Sequence, residues 1–113
     1  MADYGKRPDG TPKGIGFFGE IKRPDGMVST ELSAGFNFGR GETLAPLLVP
    51  TLTREEIDHL ISGKQPTTLI FNKAADFAKK RLGEGKSPFA AEGELYPMPE
   101  PFTPIPLIDI LHD

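Results

Sequence analysis

The chain is 113 residues long, the size of one domain, with 37% apolar residues and a net charge of −3, a balance that gives no indication of wholesale disorder from charge excess. It has no cysteine, which excludes disulfide scaffolds, thiol catalysis and cysteine zinc sites, and two histidines cannot make an all-histidine metal site within one chain. Thirteen Gly and 12 Pro make up about a fifth of the residues, so long turns and tails are expected around a core smaller than the length suggests.

Composition divides the chain into a flexible lead-in (1–14), a single domain (15–85), a Pro-rich extended arm (86–106) and an aliphatic docking tip (107–113). The pentapeptide Lys-Arg-Pro-Asp-Gly occurs at 6–10 and again at 22–26. Pro sets φ for the first central position of a turn, Asp suits the second, and Gly accepts the positive φ that follows. The second copy lies between the apolar runs 15–22 and 27–38, so a hairpin is expected there. In 27–38 the residues alternate. Val28, Thr30, Leu32, Ala34, Phe36 and Phe38 fall on one face, and Met27, Ser29, Glu31, Ser33, Gly35 and Asn37 on the other. Period two predicts one strand with one buried face. Gly39-Arg40-Gly41 is a second turn, and 43–49 a third strand that Pro46 confines to an edge or cuts short.

After Pro50 the period changes. Thr53-Arg54-Glu55-Glu56 has the capping-box pattern, Ile57, Leu60 and Ile61 share a stripe, and Gly63 suits a left-handed stop. A second helix is predicted from Thr67 or Thr68 to Gly83. Its apolar half is Ile70, Phe71, Ala74, Phe77, Ala78 and Leu82, opposite Asn72, Lys73, Asp76, Lys79 and Lys80. The expected fold class is α+β: a small three-stranded antiparallel meander packed with two helices (βββαα), with extended Pro/Gly-rich termini. The longest apolar run, 44–49, contains Pro46 and falls far short of the roughly 18 residues a membrane span needs. The residues 1–6 hold no apolar segment that would suggest secretion.

Residues that carry chemistry are sparse. Gly14-Ile15-Gly16-Phe17-Phe18-Gly19 fits G-x-G-x-x-G. A dinucleotide loop needs a strand before it and a helix after it, whereas here a Gly/Pro-rich lead-in precedes and a strand and turn follow. The glycines are read as relieving crowding where the chain enters the sheet. His59 should face solvent and His112 lies near the end of the sequence, neither beside a proton partner. Glu55 and Glu56 suit a helix start. Ser29, Ser33, Ser62 and Ser87 lack a nucleophile-elbow setting. No catalytic, cofactor-binding or metal residue is assigned.

Binding signals are stronger. Lys73, Lys79, Lys80, Arg81 and Lys86 form a basic stretch, with Lys73, Lys79 and Lys80 as a secondary basic face. The acidic net charge and the spacing of Asp76 between Lys73 and Lys80 favour a solvated, internally paired face over nucleic-acid binding. From Ala90 onward there are five acids and no base. Pro97, Pro99, Pro101, Pro104 and Pro106 favour a polyproline path, followed by Leu107, Ile108, Ile110 and Leu111. Buried aliphatic side chains of this size contribute roughly 1.5–3 kcal/mol each. Eight residues cannot hold a helix alone in water. The tip must therefore dock, on its own domain or on another surface. The partner-binding residues assigned are Phe102, Ile105, Leu107, Ile108, Ile110 and Leu111.

The order Arg23-Pro24-Asp25-Gly26, Val28-Ser29-Thr30, Leu32-Ser33 and Val49-Pro50-Thr51-Leu52 resembles a small module of bacteriophage virion-associated proteins. Glu55-Glu56-Ile57, the Gly63-Lys64 turn, and Ala74 and Ala78 continue the likeness, which spans roughly residues 14–89. It implies a non-enzymatic structural or accessory protein that binds other virion proteins or copies of itself. It carries no catalytic residues and implies no cofactor. The expected location is the virion, or the host cytoplasm during infection. The alternative is a small phage-encoded inhibitor of a host defence or nucleic-acid enzyme, its acidic end imitating nucleic acid. An enzyme would need a site assembled across protomers.

Overall fold

The computed structural model describes residues 4–39 and 41–100. Its elements are β1 (Ile21–Lys22), β2 (Val28–Ser29), β3 (Ser33–Asn37), β4 (Glu42–Pro46), α1 (Arg54–Ile61) and α2 (Thr68–Gly83). The α+β class holds, but the meander does not. β1 pairs antiparallel with β2, and β3 pairs antiparallel with β4, as two separate two-stranded sheets.

The expected strand over 27–38 breaks at Thr30–Leu32, between β2 and β3. Ser29, Thr30 and Glu31 are all buried in succession, which no strand with a single buried face allows, and Val28 is left 49% exposed. The cause lies elsewhere in the chain. Glu31 turns inward to a salt bridge with Arg7, whose Nε donates to Oε1 at 2.5 Å and whose NH2 donates to Oε2 at 3.2 Å. The Gly14 N–H donates to the same carboxylate at 3.2 Å. Residues of the lead-in are thereby tied to the core.

Both copies of the repeated pentapeptide fold the same way. In the first, Gly10 N–H donates to Arg7 O, Arg7 N–H to Thr11 O, and Thr11 N–H to the Asp9 carboxylate. In the second, Gly26 N–H donates to Arg23 O, Arg23 N–H to Met27 O, and Met27 N–H to the Asp25 carboxylate. The local sequence dictates this turn, because Asp closes an Asx turn and Gly supplies positive φ, 88° at Gly10 and 85° at Gly26.

β4 ends at Pro46, and the Leu47 N–H then donates to Leu32 O at 2.6 Å. Leu47, Leu48, Val49 and Leu52 carry the chain through the core into α1. The capping box forms as read: Glu56 N–H donates to the Thr53 hydroxyl at 3.2 Å, and Thr53 N–H donates to the Glu56 carboxylate at 2.8 Å. α1 buries Ile57 and Leu60 and stops at Gly63, where φ is 88°. α2 is capped by Thr67 and packs against β4, with Ile70, Ala74 and Ala78 buried; the two alanines permit close approach. Phe71 stacks on Phe36 at 4.4 Å between ring centres, and Phe36 on Phe38 at 5.8 Å. Leu82, expected on the apolar half, is 41% exposed, and Arg81 is buried in its place.

The Thr30 hydroxyl is buried without a hydrogen-bond partner among the described residues. Valine has the same shape without the polar atom. Thr30→Val is expected to raise stability by about 1 kcal/mol, since an unsatisfied buried hydroxyl costs about that much. A urea titration showing a higher midpoint with an unchanged slope is the check.

Candidate interaction surface

Arg81 is the side chain that makes the most hydrogen bonds to the described part of the C-terminal segment. It lies at i+7 from Ala74, on the buried stripe of α2, so its guanidinium must find partners inside the protein. Arg81 Nε donates to Ser87 O at 2.6 Å and NH2 to Phe89 O at 3.0 Å. The remaining fork grips Glu94: NH1 donates to Oε2 at 2.6 Å and NH2 to Oε1 at 2.9 Å. The guanidinium also stands over the rings of Phe17 and Phe77, 5.2 and 5.9 Å from their centres. The hydrogen bond from Arg81, joined by the Ala91 N–H, holds the Glu94 carboxyl below its ordinary range. The Tyr96 N–H donates to Phe17 O at 2.7 Å, and Met98 packs on the core. Residues 87–98 thus lie along the body, and the extended arm expected from residue 86 begins, as far as the described residues go, on an anchored stretch.

The basic face looks different in three dimensions. Lys73 reaches across to Glu56 of α1 at 2.7 Å rather than along its own helix to Asp76. Burial would raise the Glu56 carboxyl, but hydrogen bonds from Lys73 and the Thr53 N–H outweigh it and hold that group low. Lys79 sits 5.9 Å from the centre of the Phe38 ring, and Lys80 is exposed. Arg81, read as part of the basic stretch, is only 5% exposed and belongs to the interior. Its signal was available: an arginine on the Ala74/Ala78 stripe must be buried with a partner.

The Gly14–Gly19 motif is followed by β1 and a hairpin, not by a helix. Gly16 has φ of 77°, and a Cβ there would lie 1.9 Å from Thr30 O. Its backbone is pressed against the break between β2 and β3. His59 is half-buried, and its Nε2 hydrogen-bonds Gln65 O at 2.6 Å, an arrangement that ties the turn after α1. No group of three or more His, Asp or Glu side chains able to hold a metal occurs among the described residues. No helix among them is long and apolar enough to cross a membrane.

A groove opens between the N-terminal hairpin, the β3–β4 sheet and the end of α1. Its volume is about 440 Å³. Leu47 and Leu60 form the floor, Leu32 and Pro66 the walls, and Lys6, Lys13 and Lys64 the rim. None of the three ammonium groups pairs with a carboxylate among the described residues. Sequence reasoning missed this groove, because its parts come from positions remote along the chain. The residues assigned to partner binding, Phe102, Ile105, Leu107, Ile108, Ile110 and Leu111, lie outside the described residues.

Comparison with known proteins finds no matching family, no matching curated protein and no matching solved structure.

Proposed function

We propose that this is a non-enzymatic bacteriophage structural or accessory protein that binds virion proteins or copies of itself through residues 107–111. The observation that carries this reading is the sequence of the C-terminal stretch, four large aliphatics behind a proline-dense arm. Burying those side chains contributes roughly 1.5–3 kcal/mol each, enough for an anchor, and the prolines limit the ordering entropy lost on docking. The Arg81–Glu94 pair adds support by holding the first part of the arm against α2. The order of turn and capping motifs, which resembles that of virion-associated modules, points the same way. The protein would act in the virion, or in the host cytoplasm during infection.

The experiment replaces Leu107, Ile108, Ile110 and Leu111 with serine in the full chain. Association with purified particles is expected to fall at least about tenfold, the loss of 1.4 kcal/mol or more, while far-ultraviolet circular dichroism stays unchanged. Unimpaired association would refute the reading. The five acids after residue 90, with no base among them, favour a second reading as an inhibitor of a host enzyme that handles nucleic acid. Recovery of one such enzyme from uninfected host lysate, competed by DNA, would favour that reading.

A further inference from the structure

The two copies of Lys-Arg-Pro-Asp-Gly share one turn but not one arginine environment. In the first, Arg7 reaches past Asp9, whose carboxylate takes the Thr11 N–H and hydroxyl. Its Nε and NH2 donate to the two oxygens of Glu31 at 2.5 and 3.2 Å, and its guanidinium carbon lies 3.8 Å from the centre of the Phe89 ring. That arginine thus holds a carboxylate along one edge and an aromatic ring against one face, both supplied by remote parts of the same chain.

In the second copy the same edge is unfilled. Arg23 NH2 lies 3.1 Å from the Asp25 carboxylate of its own turn, and the Asp25 side chain is 59% exposed. Arg23 Nε is shielded from solvent and has no hydrogen-bond partner among the described residues. A solvated pair within one turn holds an arginine weakly, and an unmet donor carries a cost that an incoming acceptor removes. Rotation of the side chain off Asp25 would present that edge to a carboxylate arriving from outside, as Arg7 presents its own to Glu31.

We infer that the outer face of the β1–β2 hairpin docks a partner protein segment that carries a carboxylate beside an aromatic ring, with Arg23 as its anchor. The rest of that face suits such a segment. Ile21 and Ser29 pair across the strands and are buried, whereas Lys22 and Val28, the next pair, are both exposed. Met27, beside Arg23 in the turn, is exposed as well. The hairpin therefore turns two cations and two apolar side chains outward. Methionine packs adaptably and favours contact with aromatic rings, and arginine is among the residue types that dominate binding at protein interfaces. A phosphate backbone would satisfy Lys22 and Arg23 but leave Met27 and Val28 uncovered. The surface is separate from residues 107–111 and binds independently of the docking tip.

The test pans a random peptide library against the full-length chain and, in parallel, against its Arg23→Gln variant. Peptides retained by the wild type and lost on the variant are expected to carry Asp or Glu close to Phe, Tyr or Trp. A synthetic peptide of the selected consensus is expected to shift the amide resonances of Lys22, Arg23 and Asp25–Val28. Its affinity should fall at least about tenfold in Arg23→Gln. Arg23→Lys keeps the charge without the two-donor edge and should lose about threefold or more. Should Arg23→Gln fold poorly by circular dichroism, Arg23→Lys and Met27→Ser carry the comparison, each with weakened binding. Failure to enrich any peptide on the wild type over the variant would overturn the inference. So would selected peptides without an acidic residue, or resonance shifts confined to other surfaces. A single-stranded DNA oligomer that shifts the same amides with the same dependence on Arg23, where the peptides do not, would replace the protein partner with a nucleic acid and overturn it too.

Discussion

Gly16→Ala is expected to destabilise the fold by about 3–5 kcal/mol, a size reserved for strain and overpacking that the structure cannot relax. Two effects add. The residue holds φ at 77°, which costs an alanine roughly 1–2 kcal/mol by itself. The new Cβ would also sit 1.9 Å from Thr30 O and 2.8 Å from its carbonyl carbon, both backbone atoms. Neither side can yield cheaply. Phe17, the next residue, is 1% exposed in the core, and Glu31, which follows Thr30, is fixed by Arg7 and the Gly14 N–H. Gly26→Ala is the control, with φ of 85° and nothing within 4 Å of its Cβ, so only the conformational cost of roughly 1–2 kcal/mol applies. Urea titrations of both variants give the comparison. Equal losses would mean that the close approach to Thr30 contributes nothing.

Arg81→Ala is expected to destabilise the protein by about 2–4 kcal/mol and to free residues 87–96. Truncating one partner of a fully buried ion pair costs about 3–5 kcal/mol, and the 25% exposure of the Glu94 side chain reduces that figure. The Ser87 and Phe89 carbonyls lose their donor as well. Faster tryptic cleavage after Lys86 reports the release, and unchanged cleavage would count against the clasp. Acid should mimic the variant in part. The Glu94 carboxyl is held below its ordinary value of 4.5 in the folded protein. Its pairing therefore contributes stability that is fully present above that value and is lost as pH falls through the lower folded one. Glu56 also titrates low, so the wild type must be compared with Glu94→Gln. The stability difference between the two should shrink as pH falls from 5 towards 3. A constant difference would mean that the carboxylate charge plays no part.

Features that depend on neighbours in sequence were legible. Thr53 and Glu56 specify their cap, Gly63 its stop, and each Lys-Arg-Pro-Asp-Gly its turn, because every partner lies within a few residues. The split of the 27–38 run was hidden. Its alternation is genuine, yet the decision belongs to Arg7, whose salt bridge draws Glu31 inward across 24 positions of sequence. A buried ion pair overrides a local period when the loop between the partners can close. Arg81 was misread for a related reason. Charge suggested a solvent face, whereas helical geometry placed it on the stripe of Ala74 and Ala78. The groove required four remote segments to converge, and no spacing rule reports that.

Arg7 has one more neighbour. Its guanidinium lies 3.8 Å from the centre of the Phe89 ring while its nitrogens grip Glu31. The first hairpin and the segment under Arg81 are thus latched in series. Loss of either contact leaves the other less supported, so amide exchange in the two segments is expected to rise together when Arg7 is replaced by alanine.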